Sequence, residues 1–476
     1  MKIGIYGGTF DPPHLGHMEA ARAALAQMNL DRLLIIPDRE PPHKDLAEEA
    51  ASPQQRLAMA ALMADGLGPR AEASDLELRR EGKSYTADTV EAIHEAFPED
   101  ELWLLMGTDM FLTIQNWYQP ERIFQYAGVA AFSRSQEDTQ EIFAQQSQYL
   151  EETYHARTTV VPLPEVREIA SRDLRRMLAS EWTGGNVDPA QYLWEPVYGY
   201  ILKEGLFGTQ ADLKHLSDKH LRAISFSMVQ AKRLPHIKGT EETAAALAAF
   251  WGLSPEKARR AAILHDCTKY WTLEQHLETC TKYGVALDEL ECVSVKLLHA
   301  KSAAALARHV FGEPEEECQA IFSHTTGRPG MTAFDKILYL ADYMEPTRDF
   351  DGVEELRRLV WEDLDRAMIL GLEMSVEDLE ERGVPVHPDT LGILEAVVEG
   401  RAQFKPWGPF SDIEILEWEG FVPDLTDKAY VAQMQARMQD RLNYVESLKE
   451  AEGGFNALPD DAADAIRSVV EQANSL

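Results

Sequence analysis

Two histidines three apart, His14 and His17, close the stretch Gly7-Gly8-Thr9-Phe10-Asp11-Pro12-Pro13-His14-Leu15-Gly16-His17. Residues of these types in this order suit a polyphosphate. Glycines let backbone amides approach the oxygens, and a helix beginning at the histidines adds unpaired N–H groups and the positive end of its dipole. At this spacing both imidazoles lie on one helical face, where they can donate to phosphate oxygens and offset charge on the phosphorus and on the departing group. No protein nucleophile is needed: one substrate's phosphate attacks the other's phosphorus in line, with a magnesium ion on the leaving group. A Gly-rich turn alone is more often only a turn, and it is the histidine pair that gives this one chemical meaning.

A second set is spread more widely: His236, the adjacent pair His265-Asp266, His299, His324 and Asp342. One such histidine is usually a surface or core residue. Several on neighbouring helices, with a carboxylate beside one of them and another late in the chain, give a bundle core donors for one or two hard-to-borderline metal ions. Asp266 can bridge two ions, and such a pair generates hydroxide and clamps both oxygens of a displacement at phosphorus.

The elements around the first set read as β-α-β. Lys2–Tyr6 is a strand, Leu15 to about Met28 a helix and Leu33–Pro37 a buried strand. Leu102–Gly107, Val129–Phe132 and Val160–Pro162 supply further strands. Strands alternating with helices predict a parallel doubly wound sheet that binds ligands beyond the strands' carboxyl ends. Near Leu206-Phe207-Gly208 the strand signal stops, and from Leu213 to about Gly400 the period is helical. Beyond it, Val431, Met434, Met438, Leu442, Val445 and Leu448 mark an amphipathic helix, which we expect to pack on the preceding helices, and another runs from about Asp460 to Ala473.

A chain of 476 residues is long enough for about three folded units. Its net charge of −34 repels long nucleic acid while leaving room for small anions in a local positive pocket. No apolar run approaches the roughly 20 residues that span a bilayer, so no membrane partner is expected and the cytoplasm is the expected location. Cys267, Cys280, Cys292 and Cys318 form no C-x-x-C pair, which argues against a disulfide framework or a thiolate zinc site.

The glycine and histidine stretch resembles the signature of bacterial nicotinate mononucleotide adenylyltransferases, and the resemblance covers about residues 1–207. Pro41-Pro42-His43-Lys44, Ser84-Tyr85-Thr86-Ala87-Asp88-Thr89 and Met106-Gly107-Thr108-Asp109 followed by Trp117 resemble further motifs of that family. It implies that ATP and nicotinate mononucleotide are the substrates. Gly7, Gly8, Thr9, Phe10, Gly107 and Asp109 then belong to the binding site, and Lys44, Thr86, Trp117 and Arg134 lie on the mononucleotide side. Ile169-Ala170-Ser171-Arg172-Asp173-Leu174-Arg175 resembles the family's I-S-S-T-x-I-R, which assigns Ser171 and Arg175 to ATP phosphates. Ala170 and Arg172 stand where the family has serine and threonine. Other mononucleotides or phosphopantetheine-like acceptors are the alternative.

The array H…HD…H…H…D resembles the HD phosphohydrolases. Ser323–Met331, Tyr339–Pro346 and Val384–Pro388 resemble the bacterial HD enzymes that cleave diadenosine tetraphosphate symmetrically to two ADP. This implies metal ligands at His236, His265, Asp266, His299, His324 and Asp342, a pair of iron ions, a catalytic Asp266, and Lys269 aimed at a substrate phosphate. A nucleotide sensor without turnover, or another nucleotide substrate, is the alternative. The expected whole is multidomain: an α/β, Rossmann-like nucleotidyltransferase domain over 1–207, an all-α HD helical bundle over 208–400, and an acidic helical tail over 401–476. The oligomeric state is left open.

Overall fold

The computed structural model describes residues 1–41, 49–133, 139–163, 169–182 and 187–398. The helices expected within 401–476 lie outside the described residues. The chain divides into two units, Met1–Ala211 with Phe226–Ala231, and Asp212–Ser225 with the chain from Lys232 onward.

The first unit alternates strands and helices: β1 (Lys2–Gly8), α1 (Leu15–Gln27), β2 (Arg32–Pro37), α2 (Pro53–Leu67), β3 (Ala71–Ala73), α3 (Thr86–Ala96) and β4 (Glu101–Gly107). α4 (Thr108–Phe111), α5 (Pro120–Tyr126), β5 (Ala127–Phe132), α6 (Gln140–Tyr154), β6 (Thr158–Val160), α7 (Ser171–Glu181) and α8 (Glu195–Glu204) complete it. The strands form one six-stranded sheet in the order β3-β2-β1-β4-β5-β6, with every pairing parallel.

Successive residues of a strand serve opposite faces. Leu34 and Ile36 join Ile3, Ile5, Leu102, Leu104 and Met106 in one core, where α3 packs Val90 and Ile93. Leu33 and Ile35 join Trp103 and Leu105 in the other, where α1 packs Met18, Ala21, Ala24 and Leu25. Burial on both faces is why these strands read as unbroken apolar runs. β1 pairs with β2 on one side and β4 on the other, so the connections leaving the carboxyl ends of β1 and β4 diverge and open a crevice.

The second unit is helical: α9 (Asp218–Phe226), α10 (Leu234–Phe250), α11 (Pro255–Leu264), α12 (Leu273–Tyr283), α13 (Val295–His309), α14 (Glu315–Ser323), α15 (Ala333–Met344), α16 (Val353–Glu362), α17 (Leu364–Glu381) and α18 (Pro388–Val398). α10 is buried almost all round, with alanines from Ala244 to Ala249 that allow close approach, and it packs on α11 and α15. Two cations sit deep in this bundle because each has an acid: Lys336 Nζ lies 2.6 Å from Asp365 Oδ1, and Lys301 Nζ lies 3.0 Å from Glu291 Oε1. Cys267, Cys280 and Cys318 are buried and Cys292 is exposed; all four are free thiols. No helix among the described residues is long and apolar enough to cross a membrane.

Candidate active sites

In the first unit the crevice is a cavity of about 530 Å³, walled by the carboxyl ends of β1 (Gly7, Gly8), β2 (Ile36), β4 (Met106, Gly107) and β5 (Phe132). Thr9, Phe10, His14, His17, Thr86, Trp117 and Ser171 also line it. His14 is the N-cap of α1 and His17 its third residue, so the imidazoles lie against each other, ring centroids 3.7 Å apart and planes tilted by 33°. The His14 backbone N–H donates to His17 Nδ1 at 3.2 Å. With Nδ1 accepting, a neutral His17 ring carries its proton on Nε2.

The floor of the cradle is held from below. Arg56 is fully buried, and its Nη1 donates to the carbonyls of Thr9 (3.1 Å) and Asp38 (2.7 Å) and pairs with Asp38 Oδ1 at 2.8 Å. Thr9 Oγ1 donates to Asp38 Oδ2 at 2.9 Å. Phe10 has φ of 50°, a strained value for a residue with a Cβ, and its ring packs edge-on to Tyr6 and His17.

The aromatic side of the cavity has more members than expected. Trp117 is packed partly against the core, and next to it in sequence Tyr118 lies against Tyr85, ring centroids 4.4 Å apart and planes tilted by 34°. Glu77 is buried in the wall and accepts from Thr89 Oγ1 at 2.7 Å. Burial raises its carboxyl pKa above the ordinary value, partly offset by bonds from Thr89 and Ser84.

Other expected residues are placed differently. Asp109 is exposed in the first turn of α4, outside the lining. Ser171 Oγ donates to Pro12 O at 3.0 Å, and Arg175 Nη1 donates to Asp11 O at 2.6 Å and pairs with Asp11 Oδ2 at 3.2 Å. Arg175 thus braces the Asp11–Pro12 turn in place of facing the cavity, because the buried Asp11 carboxylate needs a partner. Lys44 and Arg134 lie outside the described residues.

In the second unit, His236 (α10), His265 and Asp266 (just after α11), His299 (α13), His324 (just after α14) and Asp342 (α15) converge from five helices. His299 Nε2 lies 3.1 Å from Asp266 Oδ1 and 3.0 Å from His324 Nε2. His236 Nε2 lies 3.1 Å from Asp342 Oδ1 and 3.2 Å from His265 Nε2.

What the far sides of the rings do decides their chemistry. Nδ1 of His265, His299 and His324 each donates to a carbonyl three residues back, Ala262 (2.6 Å), Lys296 (2.6 Å) and Ile321 (2.7 Å). Burial also pushes these three pKa values down to about 4, so the rings are neutral. Their Nε2 lone pairs therefore point inward, and those of His299 and His324 face each other. Facing lone pairs and two carboxylates in a buried centre are a donor set that fits cations, and the subsets His236/His265/Asp342 and His265/Asp266/His324 each bring donor atoms within 4.8 Å of one another.

Of the partners around this set, sequence reasoning found Lys269 and missed Glu345, Arg233 and Arg348. Glu345 is fully buried and accepts from His236 Nδ1 at 3.0 Å. Gly239 leaves room for it, since a Cβ there would overlap the Glu345 carboxylate. Three cations face the aspartates: Arg233 pairs with Asp266, Arg348 Nη2 with Asp342 Oδ1 at 2.7 Å, and Lys269 Nζ with Asp266 Oδ1 at 3.3 Å. Lys269 Nζ also donates to His299 Nε2 at 3.0 Å. Despite burial, the charges around Asp266 and Asp342 hold both carboxyls well below their ordinary range.

Known families match both units. A cytidylyltransferase-like family model matches residues 5–177 and an HD-domain model residues 233–347. A probable nicotinate-nucleotide adenylyltransferase of Carboxydothermus hydrogenoformans is 36% identical over 206 residues, covering 43% of this chain and 98% of that one. A symmetrical bis(5'-nucleosyl)-tetraphosphatase of Halalkalibacterium halodurans is 39% identical over 160 residues, covering 33% of this chain and 85% of that one. A solved structure, a predicted HD superfamily hydrolase involved in NAD metabolism from Clostridium acetobutylicum, is 34% identical, covers 39% of this chain and 98% of that one, and has a TM-score of 0.38.

Proposed function

We propose specific reactions for a chain that belongs both to the nicotinate-nucleotide adenylyltransferase family and to the HD family that includes the Halalkalibacterium tetraphosphatase. It is an enzyme with a nucleotidyltransferase unit and an HD hydrolase unit.

In the first unit the mononucleotide phosphate of nicotinate mononucleotide attacks the α-phosphorus of ATP. The bond to the β-phosphate breaks, giving nicotinate adenine dinucleotide and pyrophosphate. The paired His14 and His17 carry this reading: both imidazoles line the cavity beside Gly7 and Gly8, where charge develops. Ser171 and Arg175 hold the turn opposite, and Trp117 with Thr86, Lys44 and Arg134 takes the pyridine mononucleotide, stacking being the part that suits Trp117. We assign Gly107, which lines the cavity, to the ATP side. Mg²⁺ on the polyphosphate completes this site.

In the second unit, water adds to an inner phosphorus of diadenosine tetraphosphate and the central P–O–P bond breaks, giving two ADP. Two metal ions bound to His236, His265, Asp266, His299, His324 and Asp342, an iron pair in our reading, would supply Lewis acidity and a water acidic enough to attack at neutral pH. The protein's own part is to fix the donors through the Nδ1 hydrogen bonds and to set Lys269, Arg233 and Arg348 where phosphate charge accumulates. The inward lone pairs of three neutral histidines carry this reading. Both substrates are small cytoplasmic nucleotides, which makes the cytoplasm the place of action.

The test runs both assays on the full chain. ATP with nicotinate mononucleotide should yield pyrophosphate and the dinucleotide, lost in His14→Ala. Diadenosine tetraphosphate under anaerobic, iron-supplemented conditions should yield ADP alone, lost in His265→Ala. AMP plus ATP would overturn symmetrical cleavage, and retained metal without turnover would make the second unit a sensor.

A further inference from the structure

After α11 the chain runs through successive turns that carry Asp266, Thr268 and Lys269. Thr268 is wholly buried there, and its Oγ1 donates to the carbonyl of His299 at 2.8 Å. Ser302, three residues beyond His299 on α13, brings its Oγ to 2.9 Å from Thr268 Oγ1. His276 on α12 brings Nδ1 to 2.8 Å from Ser302 Oγ. Neither Ser302 nor His276 has any exposure.

The protons can be followed along this chain. Ser302 has one, with Thr268 Oγ1 and the carbonyls of Leu298 (3.1 Å) and His299 (3.2 Å) in reach, so the bond to His276 is made with the imidazole's proton. Burial keeps His276 neutral, pushing its pKa down to about 4. Nε2 then holds only a lone pair, buried and with no hydrogen-bond partner among the described residues. An orphaned buried acceptor costs free energy that an apolar side chain of similar size would not. Leucine would pack α12 on α13 more cheaply, but it has no fixed length or direction to impose on the Asp266–Lys269 turn. That turn meets His299 from both ends: Thr268 holds the carbonyl, while Asp266 Oδ1 and Lys269 Nζ lie 3.1 Å and 3.0 Å from the ring's Nε2.

We propose that His276, Ser302 and Thr268 are positioning residues of the second unit's metal centre: their hydrogen-bond chain, ending on the His299 carbonyl, sets the turn bearing Asp266 and Lys269 against His299. The proposal rests on the reading of the histidine-aspartate cluster as a metal centre. The chain offers Asp266 and His299 to an ion at a fixed separation, and it does so at some cost in stability.

The experiment compares His276→Leu, His276→Asn, Thr268→Val and the exposed control Glu278→Ala, all in the full chain. It measures the melting temperature without metal, calorimetric affinity for Co²⁺, the visible spectrum of the Co²⁺ form, and the kinetics of diadenosine tetraphosphate hydrolysis. We expect His276→Leu to melt no lower than its parent, yet to bind Co²⁺ about tenfold more weakly with shifted bands. Its kcat should fall with KM within about twofold, since no substrate contact is lost. Thr268→Val should match it, and the double variant should lose no more than either, because both cut one chain. Asparagine places an amide N–H near the position of Nδ1 and should recover most of the affinity. Co²⁺ affinity and spectrum unchanged in both His276→Leu and Thr268→Val would overturn the proposal, as would losses that follow a fallen melting temperature and are not rescued by asparagine. A parent that binds no Co²⁺ would sink the metal-centre reading and this proposal with it. A parent that binds Co²⁺ and cleaves nothing loses only its substrate assignment, and the Co²⁺ affinities still decide the role of His276.

Discussion

Glu345 accepts a hydrogen bond from His236 Nδ1 at 3.0 Å, and the carboxylate is wholly buried. This differs from the other three imidazoles, which lean on carbonyls of their own helices. A carboxylate behind a ligating histidine orients the ring and makes its far nitrogen more basic.

Glu345→Gln keeps the shape and removes that charge. We expect bound metal to fall by about 10-fold to 100-fold in affinity, with the fold intact. Metal titration by calorimetry checks it; unchanged affinity would mean that Glu345 only fills space.

Arg175 and Asp11 form a second such relationship, in the first unit. Both are largely buried and Asp11 Oδ1 also accepts from the Ala51 amide at 3.0 Å. Arg175→Met strands a buried carboxylate and should cost on the order of 3 kcal/mol. The same change in an Asp11→Asn background should cost much less, since no charge is left unpaired. Additive losses in denaturant melts would refute the pairing.

Glu77 gives a pH signature. Its pKa is raised on folding above the ordinary 4.5, so the folded chain holds this proton more tightly than the unfolded one. The stability this adds is complete below about 4.5 and is lost as pH rises through the higher folded value. Glu77→Gln keeps an acceptor for Thr89 and abolishes the titration. The variant should therefore outlast its parent at pH 8, with the gap closing toward pH 4; a gap that ignores pH would count against burial as the cause.

Chelation should separate ion binding from folding. Asp266 and Asp342 retain Arg233, Arg348 and Lys269 as counter-charges when ions are removed. The second unit should keep its helicity at 25 °C and lose melting temperature, by the linkage of about 4 kcal/mol that ions at a thousand times Kd provide. Circular dichroism before and after chelation reads both, and collapse of the helices at 25 °C would contradict it.

Much of this was legible in the chain because it is local. The strand, glycine turn and helix around Gly7 and His17 are written in contiguous residues, and the switch to helical period after Phe207 is a change of pattern. β3 was not legible: Ala71-Glu72-Ala73 has no apolar or β-branched run and is a strand only because β2 offers it an edge. Glu345, Arg233 and Arg348 were likewise hidden, since a lone charged residue acquires meaning only when folding brings a histidine or aspartate to it. Arg175 was read as facing phosphate, and the buried Asp11 that claims it is 164 residues away.

Three of the four imidazoles in the second unit's histidine-aspartate cluster are tied back to their own helices, so they stand in position before any ion arrives. An ion entering such a socket finds its seat already cut and has little rearrangement to drive. Since imidazole and carboxylate donors accept several first-row metals, the occupant is then chosen by supply: the same polypeptide, drawn from cells grown on different metals, should emerge carrying different ones.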